Sequence, residues 1–358
     1  MDLKKLRRQI DKIDLKILEL LNQRARISLE IARLKKARGM SLYSPTRAKE
    51  VLDNVVKHNT GLIPADILES VFTQITSFSL ALERQFKVAY LGPEASFTHL
   101  AAIKKFGDKV GFISCEGIGE VFKKVELKEA EFGVVPVENS IEGMVNHTLD
   151  MFITSELNIC SEIVLRIEHC LLANISLNKI KKVYSHPQVF SQCRRWLQKN
   201  LPQAELIPTS TTSKAAALVR KKKDAACISS AAAAAIYHLN IVKRGIEDFS
   251  DNVTKFLLIG ICRTAPTKSD KTSLLFSVKD KIGALHDMLV PFKEEKINLT
   301  KIESRPSKRK MWEYYFFVDL EGHIENQKIR KAIAKLKRKC NFLKILGSYP
   351  KDDVGRGK

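Results

Sequence analysis

Long apolar runs are missing from this 358-residue chain. No stretch approaches the eighteen apolar residues of a membrane-spanning helix, which excludes a helical membrane protein. CxxC pairs are missing too. The seven cysteines (Cys115, Cys160, Cys170, Cys193, Cys227, Cys262 and Cys340) are odd in number and unpaired in spacing. The expectation is free thiols in a reducing, cytoplasmic setting, with neither a zinc site nor a disulfide framework. The start, MDLKKLRRQIDKID, is charged and periodic and does not read as a signal peptide. No low-complexity tract or longer repeat interrupts the chain.

What is present is ordinary for a folded protein. A hydrophobic content of 44% builds cores and excludes a disordered chain, and the length predicts two or three domains. The net charge of +21 raises the question of an anionic partner. Lys and Arg outnumber Asp and Glu by 16 to 10 in residues 1–86, 23 to 18 in 87–265, and 22 to 12 in 266–358. A nucleic-acid stripe would be local and interleaved with aromatics, yet this excess is spread and aromatics are 7%. A generally basic proteome or small anionic substrates explains the excess as well, and neither nucleic acid nor membrane is expected as a partner.

Periodicity divides the chain in three. Apolar residues from Leu3 to Leu34 hold a heptad seam, predicting a long helix packed against other helices and ended by Gly39 and Pro45. A second helix is expected from Pro45 and a third from Pro64 to Gln85, so residues 1–86 are all-α. From Lys87 short strands (KVAYLG, EFGVVPVENS, KKVYSH, AACISS, KFLLIG) alternate with helices such as SQCRRWLQKN, which predicts an α/β domain over 87–264. CRTAPTKSDKT reads as a linker. Beyond it, residues 272–350 run strand, helix, strand, strand, helix, strand, the ferredoxin-like α+β order.

Arg24 breaks the seam where an apolar residue is due. A guanidinium buried there needs an anion, either a ligand or an internal acid such as Glu83. Lys35 shares its face. Arg7 lies seventeen residues earlier, about 26 Å along a straight helix, too far to serve the same small ligand from one chain. A second subunit would supply it.

LRRQIDKID…LLNQRARISLEIARLK…YSPTRAKEVL resembles the helical chorismate mutase family, which implies an entwined dimer of three-helix chains. The resemblance puts Arg7, Arg24, Lys35 and Arg47 in a cationic cage for chorismate, Arg7 crossing from the partner. Ser44, Ser79 and Glu83 are implied on the same site. Ser44 and Ala48 stand where the family has Asp and Glu. Glu83, where the family has Gln or Glu, is implied as the donor to the ether oxygen whose C–O bond breaks.

The middle segment resembles prephenate dehydratase, a two-lobed α/β fold. VAYLGPEASFTHLAA (with Ala95 for Gly), VVPVENSIEGMVNHTLD, SHPQ, STTSKAA and IEDFSDNVTKFLLIG follow in the family's order. Thr254 is implied as the essential residue assisting hydroxide departure. Asn139, Ser140, Ser210, Thr211 and Lys255, the last replacing an Arg, are implied to line the prephenate cleft. For the four polar residues, turn and helix-cap hydrogen bonds are the competing role.

The third segment resembles an ACT regulatory domain. GALHDML (Gly283, Ala284, Leu285) and ESRP (Glu303, Ser304, Arg305, Pro306) match its phenylalanine-site motifs. Glu303 and Arg305 would meet an amino acid's charges or brace a subunit interface. The whole resemblance implies a bifunctional, phenylalanine-inhibited enzyme without cofactor, a homodimer or larger. A phenylalanine sensor with weakened catalysis is the alternative that the departures at Ser44, Ala48, Ala95 and Lys255 raise.

Overall fold

The computed structural model describes residues 2–82, 86–249, 251–278, 282–306 and 314–352. The chain opens with helix α1 (Leu3–Ala37), capped by Asp2, whose carboxylate accepts from Lys4 N and satisfies one orphan donor of the first turn. Helices α2 (Pro45–His58) and α3 (Ala65–Ala81) come next, with Pro45 at the first turn of α2. Residues 2–82 are therefore helical, as expected; the expected end of the third helix at Gln85 lies outside the described residues.

The next elements are β1 (Lys87–Leu91), α4 (Phe97–Phe106), β2 (Gly111–Cys115), α5 (Ile118–Glu126), β3 (Phe132–Asn139), β4 (Gly143–Met144), α6 (Asn146–Thr154) and β5 (Asn158–Arg166). Then come β6 (Cys170–Ala173), β7 (Lys182–Ser185), α7 (Pro187–Gln192), α8 (Arg194–Asn200), β8 (Glu205–Pro208), α9 (Thr212–Val219), β9 (Ala225–Ser229), α10 (Ala231–Tyr237), β10 (Asn240–Lys243) and β11 (Val253–Gly260). The chain ends with β12 (Asp270–Ser277), α11 (Ala284–Glu294), β13 (Leu299–Pro306), β14 (Tyr314–Glu321), α12 (Gln327–Lys337) and β15 (Phe342–Pro350).

Two compact units result: Met1–Phe86 with Lys104–Gly111, and the remainder. In the first, the rings of Tyr43, Phe86 and Phe106 meet at 4.8–6.1 Å and form a small aromatic core. Most of the α1 seam has no such cover: Ile10, Ile13, Ile17, Leu20, Ile27, Ile31 and Leu34 are all exposed.

Among the described residues, the second unit holds three sheets. One has the order β2-β1-β3-β11-β5, with β4 paired to β3; the second runs β10-β6-β9-β7-β8; the third runs β13-β14-β12-β15. The chain crosses between the first two sheets twice, after β5 and before β11, giving two lobes. The third sheet has the ferredoxin-like order the sequence predicts, but it does not stand apart as a separate compact unit. Leu275, Tyr315, Phe317, Leu346 and Tyr349 belong to the same apolar core as Val137, Phe152, Ile159 and Leu257. Gly347 (φ +156°) brings the β15 backbone so close that a Cβ there would strike the carbonyl of Ile159.

Two local expectations change. SQCRRWLQKN is two short helices broken at Cys193 rather than one. Cys160 and Cys262 are joined by a disulfide, Cα atoms 6.2 Å apart, against the expectation of free thiols. Cys160 sits at the bulge where β5 slips against β11, and Cys262 lies just past the end of β11. A separation of 102 residues conceals that adjacency. The other five cysteines are free.

Candidate active sites

In the helical unit, Arg24 donates to Ser79 Oγ at 2.9 Å, and the Ser79 hydroxyl donates to the Ile75 carbonyl at 3.0 Å. Lys35 donates to the Leu42 carbonyl at 2.8 Å. Both cations are half-buried and their hydrogen-bond partners here are neutral. Desolvation lowers the pKa of each, so the charged forms gain from an anion brought beside them. Ser44 caps α2, its hydroxyl accepting from Arg47 N at 3.3 Å, a helix-cap role the sequence reading did not name for it. Arg47 is exposed and pairs with Glu50 at 3.1 Å. Arg7 is exposed on α1, and Glu83 lies outside the described residues.

The second unit assembles a different kind of site where its lobes join. Thr254, at the start of β11, lies opposite Asn139, at the end of β3. Asn139 Oδ1 accepts from the backbone N–H groups of Ile141 (3.0 Å) and Glu142 (3.1 Å). Its Nδ2 must then face the other way, where it donates to Thr254 Oγ1 and to Asn252 Oδ1, both at 2.8 Å. Thr254 Oγ1 thus accepts from Asn139 and keeps its proton for another partner. Asn252 Nδ2 donates to Gln192 Oε1 at 3.2 Å, and Gln192 Nε2 donates to Glu142 Oε1 at 3.0 Å. His169 Nε2 also meets Gln192 Oε1, at 2.8 Å.

The other expected residues take several positions. Ser140 clasps the same corner, accepting from Val253 N at 3.0 Å and donating to the Asp251 carbonyl at 3.3 Å. Thr211 caps α9, accepting from Lys214 N at 3.1 Å; Ser210 precedes it, exposed. Among the described residues, no hydrogen bond joins either one to Thr254. Lys255 is separated from Thr254 by strand alternation. It points to the opposite face, pairing with Glu138 at 3.3 Å, and Lys301 of β13 shares that carboxylate at 3.3 Å. Burial opposes ionisation of Glu138, but Lys301 and Lys255 outweigh it and hold the carboxyl below its ordinary pKa. Ala95 adopts φ +62°, which explains glycine as the family residue, and its carbonyl accepts from Ser230 Oγ at 3.3 Å. The neighbouring Glu94 carbonyl accepts from Ser213 and Tyr237.

In the third sheet, Gly283 (φ +76°) opens α11, with Ala284 and Leu285 in its first turn. Glu303, Ser304, Arg305 and Pro306 lie on the edge strand β13. Lys301, Glu303 and Arg305 share its half-buried face, while Ser304 and Pro306 are exposed. Arg305 clasps Asp150 of α6 through both carboxylate oxygens at 3.1–3.3 Å, a partner within the same unit that neither expected role for it named.

Sequence patterning alone missed Asn252, Gln192 and His169. Each reads singly as a turn or short-helix residue; only the crossing of the two lobes brings them together.

A helical unit with two half-buried cations, a polar cluster between two lobes and a ferredoxin-like sheet, in that order, describe a two-activity enzyme with a regulatory end. Family comparisons agree segment by segment: chorismate mutase type II over residues 6–84, prephenate dehydratase over 88–263, and ACT domain over 272–338. The bifunctional chorismate mutase/prephenate dehydratase of Aquifex aeolicus is 48% identical over 98% of both chains, and that of Pseudomonas aeruginosa 43% identical over 98% of both. A crystal structure of prephenate dehydratase from Arthrobacter aurescens, in complex with L-Phe, superposes with TM-score 0.70 at 32% identity, over 74% of this chain and 90% of that one. The chain belongs to the bifunctional chorismate mutase/prephenate dehydratase family. Among the described residues, no helix is long and apolar enough to cross a membrane.

Proposed function

We propose that the chain converts chorismate to prephenate in its helical unit, and prephenate to phenylpyruvate, CO2 and water in its second unit, under inhibition by L-phenylalanine. The observation that carries the dehydratase reading is the Thr254 hydroxyl, held as an acceptor from Asn139 with its own proton free. As the ring carboxylate of prephenate leaves as CO2, the electron pair expels the ring hydroxyl and the ring becomes aromatic. The departing oxygen needs a donor, and Thr254 supplies one without a cofactor. Asn139 and Ser140 shape that corner, and Ser210 and Thr211 face prephenate from the second lobe. Lys255, turned to the other face, acts through Glu138 rather than on the substrate.

The mutase step is a pericyclic rearrangement, so orientation and charge stabilisation suffice. Arg24, Lys35 and Arg47 with Ser79 hold the dianionic substrate. Ser44, already capping α2, contributes at most a second hydrogen bond. Glu83 acts in its protonated form, because a carboxylate has no proton for the ether oxygen. The exposed α1 seam supports a homodimer, in which a partner subunit covers the apolar row and brings its own Arg7 to the cage. Phenylalanine is read by the third sheet around Gly283–Leu285 and Glu303–Pro306.

The test supplies chorismate, then prephenate, each with and without phenylalanine, and follows phenylpyruvate. Both substrates should yield phenylpyruvate, less so with phenylalanine present. A protein that binds phenylalanine but turns over neither substrate would instead be the catalytically weakened sensor.

A further inference from the structure

We infer that His169 is a positioning residue for the dehydratase reaction: a neutral imidazole protonated on Nε2 that terminates the hydrogen-bond chain holding the Thr254 hydroxyl. The inference deepens the reading of Thr254 as the donor to the departing hydroxyl, and rests on it.

Direction is fixed at one end by main chain. The N–H groups of Ile141 and Glu142 occupy Asn139 Oδ1, so its amide nitrogen faces Thr254 and Asn252. Asn252 then presents its oxygen to Asn139 and its nitrogen to Gln192. Gln192 presents Oε1 to Asn252 and Nε2 to Glu142. Its Oε1 is an acceptor only, so the His169 atom 2.8 Å away must be a donor. That assigns the proton to Nε2. His169 is 1% exposed, and burial lowers its pKa, which keeps the ring neutral. Nδ1 is left as a bare acceptor, and it has no hydrogen-bond partner among the described residues. This agrees with the Nε2 tautomer, since a buried N–H without an acceptor would cost more than a buried lone pair.

The surroundings hold this geometry. His169 N donates to Glu247 at 2.9 Å, the His169 carbonyl accepts from Ile246 N, and Phe97 packs its ring edge-on at 5.7 Å. His169 lies on the first crossing between the lobes and Asn252 on the second, where Ile167 N also donates to the Asn252 carbonyl at 2.8 Å. The imidazole therefore pins Gln192 and Asn252 at the joint, and through them Asn139 and Thr254. Without the Nε2 donor, Gln192 Oε1 keeps only the 3.2 Å bond from Asn252, and the placement of Asn252, and through it of Asn139 and the Thr254 hydroxyl, loosens.

The test compares His169→Gln, whose amide nitrogen reaches the place of Nε2 and remains a donor, with His169→Leu, which has none. For His169→Leu the dehydratase kcat should fall about tenfold or more with KM little changed, the size expected for one charge-neutral positioning bond. His169→Gln should recover most of that loss, and mutase activity should be unchanged in both. The imidazole nitrogen shifts of the 15N-histidine-labelled wild-type protein should show a neutral Nε2–H tautomer at neutral pH. An unchanged kcat in His169→Leu, a Gln variant no better than Leu, or an Nδ1–H tautomer would overturn the inference. Should the Leu variant fail to fold, the Gln variant and the wild-type spectrum decide. Thr254→Val, run alongside, separates the two readings: if it stays active, the role of Thr254 is wrong; if it is dead while His169→Leu is normal, only the inference fails.

Discussion

The two catalytic regions differ in what each contains by itself. At the lobe junction, Thr254 sits in a closed set of bonds in which every amide has an assigned direction. In the helical unit, Arg24 and Lys35 are desolvated against neutral partners, Arg7 stands far along α1, and a row of apolar residues faces outward. In the proposed function, one site is complete within a chain, and the other is completed by an anionic substrate and a second copy. The difference comes from element length. A helix of 35 residues spreads its functional groups over more distance than a small ligand covers, whereas neighbouring strands of one sheet bring together residues over a hundred positions apart.

The largest effect expected from breaking this contrast comes from Thr254→Val. It removes the donor with little change of shape, so phenylpyruvate formation from prephenate should fall by at least about 10²-fold, within the usual range for a lost proton donor. Mutase activity, in the other unit, should be unchanged. Assays on chorismate and on prephenate with the same preparation check both halves.

A smaller effect is expected at Lys301→Met. Lys301 and Lys255 share Glu138, so the strand carrying Glu303 and Arg305 is tied to the strand carrying Thr254. Phenylalanine should still bind, by calorimetry, while its inhibition of the dehydratase weakens several-fold, inside the usual range of allosteric coupling. The acid limb sharpens the same point. Because the Glu138 carboxyl titrates below its ordinary value in the folded protein, its contribution is present above the ordinary carboxylate pKa. It is lost as pH falls through the lowered one. Inhibition by phenylalanine should therefore fade in that acid range in the wild type, and Lys301→Met should show less of the fading. Cutting the chain before β12 is a poorer probe, since Leu275, Tyr315 and Phe317 complete the core around Leu257.

Ala95→Gly should have the smallest effect. Glycine relieves the cost of φ +62° but gives up a buried methyl group of similar worth, so stability should change by less than about 1 kcal/mol. Thermal denaturation reads it directly.

Much of this was legible in the sequence. The heptad seam showed α1, the break in it singled out Arg24, and the strand-helix alternation showed the α/β and ferredoxin-like parts. Motif order singled out Thr254 and Asn139, which the structure sets opposite each other. What stayed hidden depends on which strands become neighbours. The face taken by Lys255 is set by the pairing of β11 with β3, and the Cys160–Cys262 bond by a bulge between β5 and β11. The grip of Arg305 on Asp150 needs the third sheet laid against α6. Gln192, Asn252 and His169 carry no spacing that links them. Their common role exists only once the two crossings lie side by side.

The contrast between a shared and a self-contained site is tested most directly by mixing disabled chains. Arg7→Ala and Arg24→Ala, each inactive as a mutase alone, should regain activity after subunit exchange. Random exchange leaves half the dimers mixed, each with one of two sites intact, so recovery should approach about a quarter of wild type. A parallel mixture of Thr254→Val with Asn139→Ala should regain no dehydratase activity, because both residues must come from one chain. Recovery of the mutase alone is the predicted result. No mutase recovery despite demonstrated exchange, or recovery of the dehydratase as well, would contradict the account.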